Sequence, residues 1–209
     1  MNLRTQRLRN ILKSLPTSVF ATALFLTAPA IADAPGANEV RVFSFFIDRY
    51  EYPNVPGEAP RVNVTWTDAS KLCRERGKRL CTEMEWETAC RGPAGLAYGY
   101  GSAFVPGNCN SPYPTADGGW RRDFGTALAG SFKNCTNELG AYDMIGNVWE
   151  WTSSYFSESN RWRVVRGGSW FHNVNFARSD GRYGKYLNKD YSLDLIGFRC
   201  CRDAGSDIE

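Results

Sequence analysis

Apolar residues occur along this chain in short runs separated by glycine, proline and polar residues, a pattern that predicts short strands. Residues 42–47 read VFSFFI, which predicts a buried strand. Trp149 and Trp151 alternate with Glu150, so the two indoles share one face of a strand and the carboxylate takes the other. Three further runs predict strands, at residues 62–66, 162–166 and 196–201.

Two segments predict short helices. The first spans residues 68–76 and has Thr67 as its N-cap. The second begins at Thr82, which can form a capping box with Glu85. A glycine follows each segment, as is common where a helix ends.

Between the second helix and the central strands, residues 92–137 are rich in Gly, Pro and Asn and show no strong periodicity. The aromatic residues scattered through this stretch favour a packed, loop-rich structure. The chain is therefore predicted to be an α+β domain, rich in loops, with two short helices and short antiparallel strands.

The N-terminus has the pattern of a secretory signal peptide over residues 1–32. Four basic residues precede an apolar stretch at 19–31, and Ala30-Ile31-Ala32 fits a cleavage site. The apolar stretch is shorter than the roughly 20 residues that span a bilayer, so a membrane anchor is the less favoured alternative. We expect export to the periplasm or the medium, a flexible lead over 33–41, one domain over 42–203 and a tail over 204–209.

Charge and cysteine content narrow the class of protein. Cleavage would remove four basic and no acidic side chains, which changes the formal charge from +3 to −1 and gives no case for nucleic-acid or membrane binding. All seven cysteines follow the signal segment, so disulfides are expected, and one thiol is left over. A zinc site is disfavoured because there is no Cys-x-x-Cys pair and His172 is the only histidine. Cys109 and Cys135 could pair, although spacing does not determine connectivity.

Five motifs resemble the formylglycine-generating enzyme, or sulfatase-modifying factor, family, whose fold is a variant of the C-type lectin fold. The resemblance covers roughly residues 42–202 and implies one domain. The motifs are IDRYEYPN (47–54), GKRLCTEMEWETACRG (77–92), GAYDMIGNVWEWT (140–152), RVVRGGSW (163–170) and IGFRC (196–200).

The resemblance implies one disulfide, between Cys73 and Cys200. It also implies that Cys90 has lost its family partner, because that position falls near Arg182. Cys81 and Cys201 are additional cysteines that could take the partner's place.

The resemblance further implies a calcium ion. Its ligands would be the side chains of Asp143 and Glu150 and the carbonyls of Gly146 and Val148. The alternative is that Asp143 caps a turn and Glu150 pairs with an arginine.

Family enzymes that make formylglycine use two cysteines that bind copper, and these positions are His172 and Ala177 in this chain. Neither residue replaces a thiolate pair, so formylglycine synthesis by the family's route is not expected. His172 and Ser169 are the remaining catalytic candidates. With copper or iron they would make the chain an altered metal-dependent oxidoreductase, acting on a peptide or small molecule in the periplasm.

The favoured hypothesis is a binding or accessory role through residues 170–195. The segment is rich in Tyr, Phe, Asn, Asp, Gly and Ser, a composition like that of an antibody paratope. It resembles the region that retroelements diversify in some C-type-lectin-fold proteins, although an ordinary polar loop is the simpler alternative. The ligand would be a protein, peptide, small molecule or glycan. The predicted contacts are Trp170, Phe171, Phe176, Tyr183, Tyr186 and Tyr191, with Arg178 and Arg182 for anionic groups.

Overall fold

The computed structural model describes residues 34–121, 125–172 and 174–205, so the predicted signal segment, residues 1–32, lies outside the described residues. All of the described residues fall within one unit, residues 32–209. None of the helices in the described part is long and apolar enough to cross a membrane. The helices are α1 (Trp66–Glu75) and α2 (Glu83–Arg91). The strands are β1 (Glu39–Val42), β2 (Phe45–Asp48), β3 (Arg79–Leu80), β4 (Tyr113–Pro114), β5 (Trp120–Arg121), β6 (Trp149–Ser157), β7 (Trp162–Arg166), β8 (Arg182–Tyr183), β9 (Ile196–Phe198) and β10 (Cys200–Asp203).

The apolar run at 42–47 forms a hairpin and not the single strand predicted from its composition. β1 and β2 pair antiparallel, and the chain turns at Phe43, which has a φ of 49° and is exposed. The expected flexible lead over 33–41 is therefore wrong for residues 39–41, which belong to β1. The predicted tail is likewise anchored at its start, because the Ala204 amide donates to the carbonyl of Ser44. Residues 206–209 lie outside the described part.

The second helix follows its local sequence signals and the first departs from them by two residues. In α2 the Thr82 hydroxyl accepts from the Glu85 amide and the Glu85 carboxylate accepts from the Thr82 amide, which completes the predicted capping box. The N-cap of α1 is Thr65 and not Thr67, since the Thr65 hydroxyl accepts from the Asp68 amide. Residues 62–65, predicted to be extended, therefore form the approach to the helix and pair with no strand.

Two four-stranded sheets carry the fold. The first has the strand order β1-β2-β10-β3 and is antiparallel throughout. The second has the order β8-β7-β6-β9. Its β6–β9 pair is parallel, whereas the sequence predicted antiparallel strands, and its other two pairs are antiparallel. A small hairpin of β4 and β5 stands apart from both sheets. The predicted α+β class, with two short helices and short strands in a loop-rich chain, is confirmed.

The two sheets meet where the predicted last strand breaks at Arg199. Residues 196–198 pair with β6 in the second sheet, and residues 200–203 pair with β2 and β3 in the first. Arg199 lies between them and points inward, fully buried. A single residue, Arg199, therefore separates β9 of the second sheet from β10 of the first.

The Arg199 guanidinium satisfies all of its N–H groups in the interior. Nε and Nη2 each donate to a carboxylate oxygen of Glu150 at 2.7 Å. Nη1 donates to the carbonyls of Asp48 and Arg49, and Nη2 also donates to the carbonyl of Tyr142. Such a bidentate pair is geometrically specific, and breaking it would leave a buried charge without compensation.

Three disulfides staple the first sheet and the central loop. Cys73 of α1 bonds to Cys200, the pair that the family resemblance implied. The other bridges are Cys81–Cys201 and Cys109–Cys135. The additional cysteines Cys81 and Cys201 thus pair with each other, and Cys90 is the free thiol, buried on the inner face of α2.

We predict that replacing Arg199 with Met strongly destabilises the protein, because it leaves the Glu150 carboxylate buried and unpaired. The expected loss in the free energy of unfolding is about 3–5 kcal/mol, measured by urea denaturation with the disulfides intact. The matched control is Lys71→Met, which removes the exposed Lys71–Glu75 pair and should cost less than about 1 kcal/mol. Equal losses in the two variants would show that the buried pair does not stabilise the fold.

Candidate ligand-binding site

A cavity of about 470 Å³ opens between the second sheet and the segment that follows β8. Its size is typical of small-molecule sites. Most of its lining is apolar or aromatic, and no aspartate or glutamate is among the lining residues in the described part of the chain. The lining residues are Trp149, Val165, His172, Phe176, Tyr183, Lys185, Tyr186, Leu187, Tyr191, Leu193, Leu195 and Ile196.

Strand pairing brings one side of the cavity together. Trp149 and Ile196 are partners in the parallel β6–β9 register, and Val165 and Tyr183 are partners between β7 and β8. Side chains of directly paired residues lie on the same face of a sheet, so these four contribute to one surface. The Trp149 and Trp151 indoles both pack in the same buried cluster, as their alternation predicted.

His172 lies at the cavity with a defined ring orientation. The Trp149 indole Nε1 donates to His172 Nδ1 at 3.0 Å, and the Ser169 hydroxyl lies 2.9 Å from the same nitrogen. Because an indole N–H can only donate, Nδ1 is the acceptor and the neutral imidazole carries its proton on Nε2. Burial lowers the pKa of His172 below its ordinary value of 6.5.

The positions of the family's reactive cysteines hold no thiol. His172 accepts the hydrogen bond from Trp149. Ala177 is fully buried and packs so closely against Gly168 that a Cβ added to that glycine would lie 3.0 Å from the Ala177 Cα. In the described part the free cysteine is Cys90, which does not line the cavity. Burial raises the pKa of the Cys90 thiol, which keeps it protonated and unreactive. The catalytic candidate Ser169 is also fully buried and bonds locally, accepting from the Phe171 amide.

Four of the eight predicted ligand contacts line the cavity: Phe176, Tyr183, Tyr186 and Tyr191. Trp170 and Phe171 do not line it, and their rings pack edge to face with centroids 5.7 Å apart.

The two arginines predicted to bind anionic groups already pair with carboxylates. Arg178 pairs with Asp180, and Arg182 pairs with Glu83 of α2. Neither arginine is among the residues that line the cavity.

Sequence analysis did not identify the aliphatic side of the cavity or its lysine. Leu187, Leu193, Leu195 and Ile196 line the cavity together with Lys185. The available signal was the alternation of Leu193 and Leu195 at the end of an otherwise polar segment, which is typical of residues that share one face.

The predicted calcium ligands lie in a buried acidic region. Glu150 pairs with Arg199, the alternative expected for this residue, and Asp143 accepts from the Gly130 amide at 2.7 Å. Glu51 is buried nearby and accepts from the Asn147 side chain at 2.7 Å.

The pKa values of two of these carboxyls are raised. Burial raises the pKa of Asp143 to about 6. Burial, together with the charges of Asp143 and Glu150, raises the pKa of Glu51 well above its usual range. The region therefore holds more acidic groups than its cations, Arg199 and the nearby Lys133, neutralise.

Calcium prefers oxygen ligands, and the carboxyls of Glu51, Asp143 and Glu150 are buried in this region, where both Glu150 oxygens already accept from Arg199. Asn110 Oδ1 and Ser111 Oγ are buried without a hydrogen-bond partner, and both residues pack against Gly146, one of the predicted carbonyl ligands. His172 is a single imidazole whose Nδ1 already accepts from Trp149, so it offers copper or iron one nitrogen, Nε2. Within the described ranges, no three His, Cys, Asp or Glu side chains form a group that could hold a metal.

Residues 48–204 match the protein family described as "Sulfatase-modifying factor enzyme 1-like domain". The chain belongs to the sulfatase-modifying factor family. The match begins at Asp48, the last residue of β2, and ends just after β10. It therefore covers the whole second sheet but leaves out β1 and most of β2, and it begins a few residues after the expected boundary at 42.

Named relatives of this sulfatase-modifying factor domain include active and inactive enzymes. It is 39% identical over 158 residues to "Inactive C-alpha-formylglycine-generating enzyme 2" of Bos taurus, covering 71% of this chain and 52% of the relative. It is 34% identical over 168 residues to the formylglycine-generating enzyme of Streptomyces coelicolor, covering 69% and 53%. The domain thus spans about half the length of the curated relatives it matches.

Solved structures support the same fold. PvdO from Pseudomonas aeruginosa superposes with a TM-score of 0.57 at 22% identity, covering 76% of this chain and 80% of that one. Treponema denticola variable protein 1 superposes with a TM-score of 0.59 at 18% identity, covering 80% and 92%. At these identities the likeness is one of fold alone.

We predict that His172 titrates below pH 6.5, because its ring is desolvated and Nδ1 accepts from Trp149. A pKa lowered by folding means that stability is present above pH 6.5 and falls as the pH drops towards the folded pKa. NMR titration measures this directly, since His172 is the only histidine. Trp149→Phe should raise the pKa, and the exposed Trp120→Phe should not. A wild-type pKa at or above 6.5 would contradict the assignment.

Proposed function

We propose that this sulfatase-modifying factor domain is an exported binding or accessory module whose ligand enters the cavity beside residues 170–195. The single observation that carries the proposal is a preformed, largely apolar cavity lined by His172, one of the two reactive-cysteine positions, with no cysteine among its described lining residues. Preformed cavities with apolar walls and a few polar groups are typical of small-ligand sites.

The cavity walls supply the affinity. Burial of apolar ligand surface contributes roughly 25 cal/mol per Å², so about 150 Å² would contribute about 4 kcal/mol before the cost of association. The aromatic rings add directional contacts, because His172 lies edge to face with Trp149 and Phe176. These rings are held by the sheet and by each other, which lowers the entropy cost of binding.

Formylglycine synthesis is not proposed because its chemistry needs a thiolate pair. The alanine at 177 offers no functional group, and His172 Nδ1 already accepts a hydrogen bond. Export is proposed on separate grounds. Three disulfides are stable in an oxidising compartment and rare in the cytosol. The partner would be a peptide, another protein, a small molecule or a glycan, and the charge of −1 after cleavage supports neither nucleic acid nor a membrane surface.

We predict that a neutral aromatic probe binds in this cavity and that filling the cavity weakens binding. Isothermal titration calorimetry with naphthylmethanol should show saturable binding to the wild-type domain. Leu193→Trp should weaken it at least tenfold, because the larger ring takes up cavity volume, a loss of about 1.4 kcal/mol.

The matched control is Leu128→Trp, since Leu128 is an exposed leucine outside the cavity. It should bind like the wild type. Absence of binding to the wild type, or equal binding by Leu193→Trp, would refute the cavity as the binding site.

We also propose a structural calcium ion held by the carboxylates of Asp143 and Glu150 and the carbonyls of Gly146 and Val148. The surplus of buried carboxylates over cations supports it, as do the unpartnered oxygens beside Gly146. The ion would neutralise charge in the interior and fix the 143–150 segment, which leads into β6.

We predict that calcium raises the thermal midpoint of unfolding of protein first stripped with chelator. At about a hundred times Kd the stabilisation should be about 2.7 kcal/mol. Asp143→Asn should abolish the calcium response, whereas Asp117→Asn, an exposed change in the β4–β5 turn, should keep it. An unchanged midpoint in wild-type protein with and without calcium would exclude the site.

A further inference from the structure

Among the described residues that line the cavity, Lys185 is the one with a full positive charge, and none of them carries a carboxylate. The other basic residues of the same segment are already neutralised. Arg178 pairs with Asp180, Arg182 with Glu83 and Lys189 with Asp190. Lys185 forms no such ion pair within the described residues. Its ammonium instead lies 5.0 Å from the centroid of the Tyr186 ring.

The imidazole at the cavity adds a second donor. His172 Nδ1 accepts from Trp149, so Nε2 carries the proton of the neutral ring and can donate. No hydrogen bond from Nε2 is made to the described residues. Asp194 lies between two lining leucines in sequence but is not itself part of the lining. The Lys185 ammonium and the His172 Nε2–H group can therefore act only as hydrogen-bond donors.

Hydrogen-bond donors in a mostly apolar lining favour a ligand that is anionic. An ammonium group is most strongly stabilised by an anion, through a charge-assisted hydrogen bond. Lys185 is exposed, so salt screens this attraction and it is best measured at low salt. The tyrosine hydroxyls of Tyr183, Tyr186 and Tyr191 can serve either as donors or as acceptors, so they do not oppose an anion. A cationic ligand would meet Lys185 and find no carboxylate in the lining.

We propose that the ligand is an apolar anion, with an aromatic or aliphatic body held by the walls and a carboxylate or similar group held by Lys185 and His172. This inference rests on the proposed binding function of the same cavity. The anion could belong to a free small molecule or to the C-terminal residue of a peptide, since both present a carboxylate beside an apolar group. Anion recognition therefore falls to Lys185, in place of Arg178 and Arg182.

The test compares three ligands that share one ring system and differ in charge: naphthoate, naphthylmethanol and naphthylmethylammonium. Calorimetry at low salt should show naphthoate binding at least tenfold more tightly than the alcohol, and the ammonium most weakly. Lys185→Gln should remove most of the preference for naphthoate over the alcohol, because the carboxylate then keeps only the hydrogen bond from His172. Lys185→Arg should keep the preference, and Lys189→Gln, a change at an exposed lysine paired with Asp190, should not alter it.

Two further arms identify the source of the anion. A short peptide that ends in naphthylalanine with a free carboxylate is compared with its C-terminal amide. Binding of the free-acid peptide supports recognition of a chain terminus, and binding of naphthoate alone supports a small molecule. Equal affinity for naphthoate and the alcohol would overturn this inference while leaving the binding function intact. Failure of all three ring ligands to bind would overturn both.

Discussion

The pairing of Arg199 with Glu150 is the contact on which the remaining architecture depends. Glu150 lies in β6, one of the two inner strands of the second sheet, and Arg199 lies at the point where the chain leaves that sheet for the first. The same carboxylate accepts from the Trp86 indole, which brings α2 into the arrangement. One buried charge pair thus sets how two sheets and a helix meet, and its hydrogen bonds leave no N–H of the guanidinium free to pair elsewhere.

Sequence reasoning succeeded where the signal is local and failed where partners are distant. The capping box of Thr82 and Glu85 involves residues three apart, so the sequence contains the whole interaction. The turn at Phe43 could not be predicted, because an apolar residue at a positive φ looks the same in sequence as one inside a strand. The break at Arg199 depends on a carboxylate 49 positions earlier in the chain.

The same distinction applies to the binding site. The aromatic side of the cavity was visible as an unusual composition in residues 170–195. The opposite side depends on the parallel pairing of Trp149 with Ile196, and no spacing rule relates those positions. The roles of the basic residues were also invisible, since Arg182 is neutralised by Glu83 from another element while Lys185 is not. Charge in a sequence identifies cations, but only the folded chain shows which of them are already paired.

The neighbouring cysteines of β10 carry a consequence for folding. Side chains alternate along a strand, and Cys200 packs in the cluster around Trp151 whereas Cys201 packs in the cluster around Trp86, on the opposite face. Their partners, Cys73 and Cys81, lie on those same two sides. A slip of β10 by one residue would exchange the faces, so it would present each thiol to the wrong partner. Formation of both native disulfides, Cys73–Cys200 and Cys81–Cys201, therefore requires that β10 is paired in its native register.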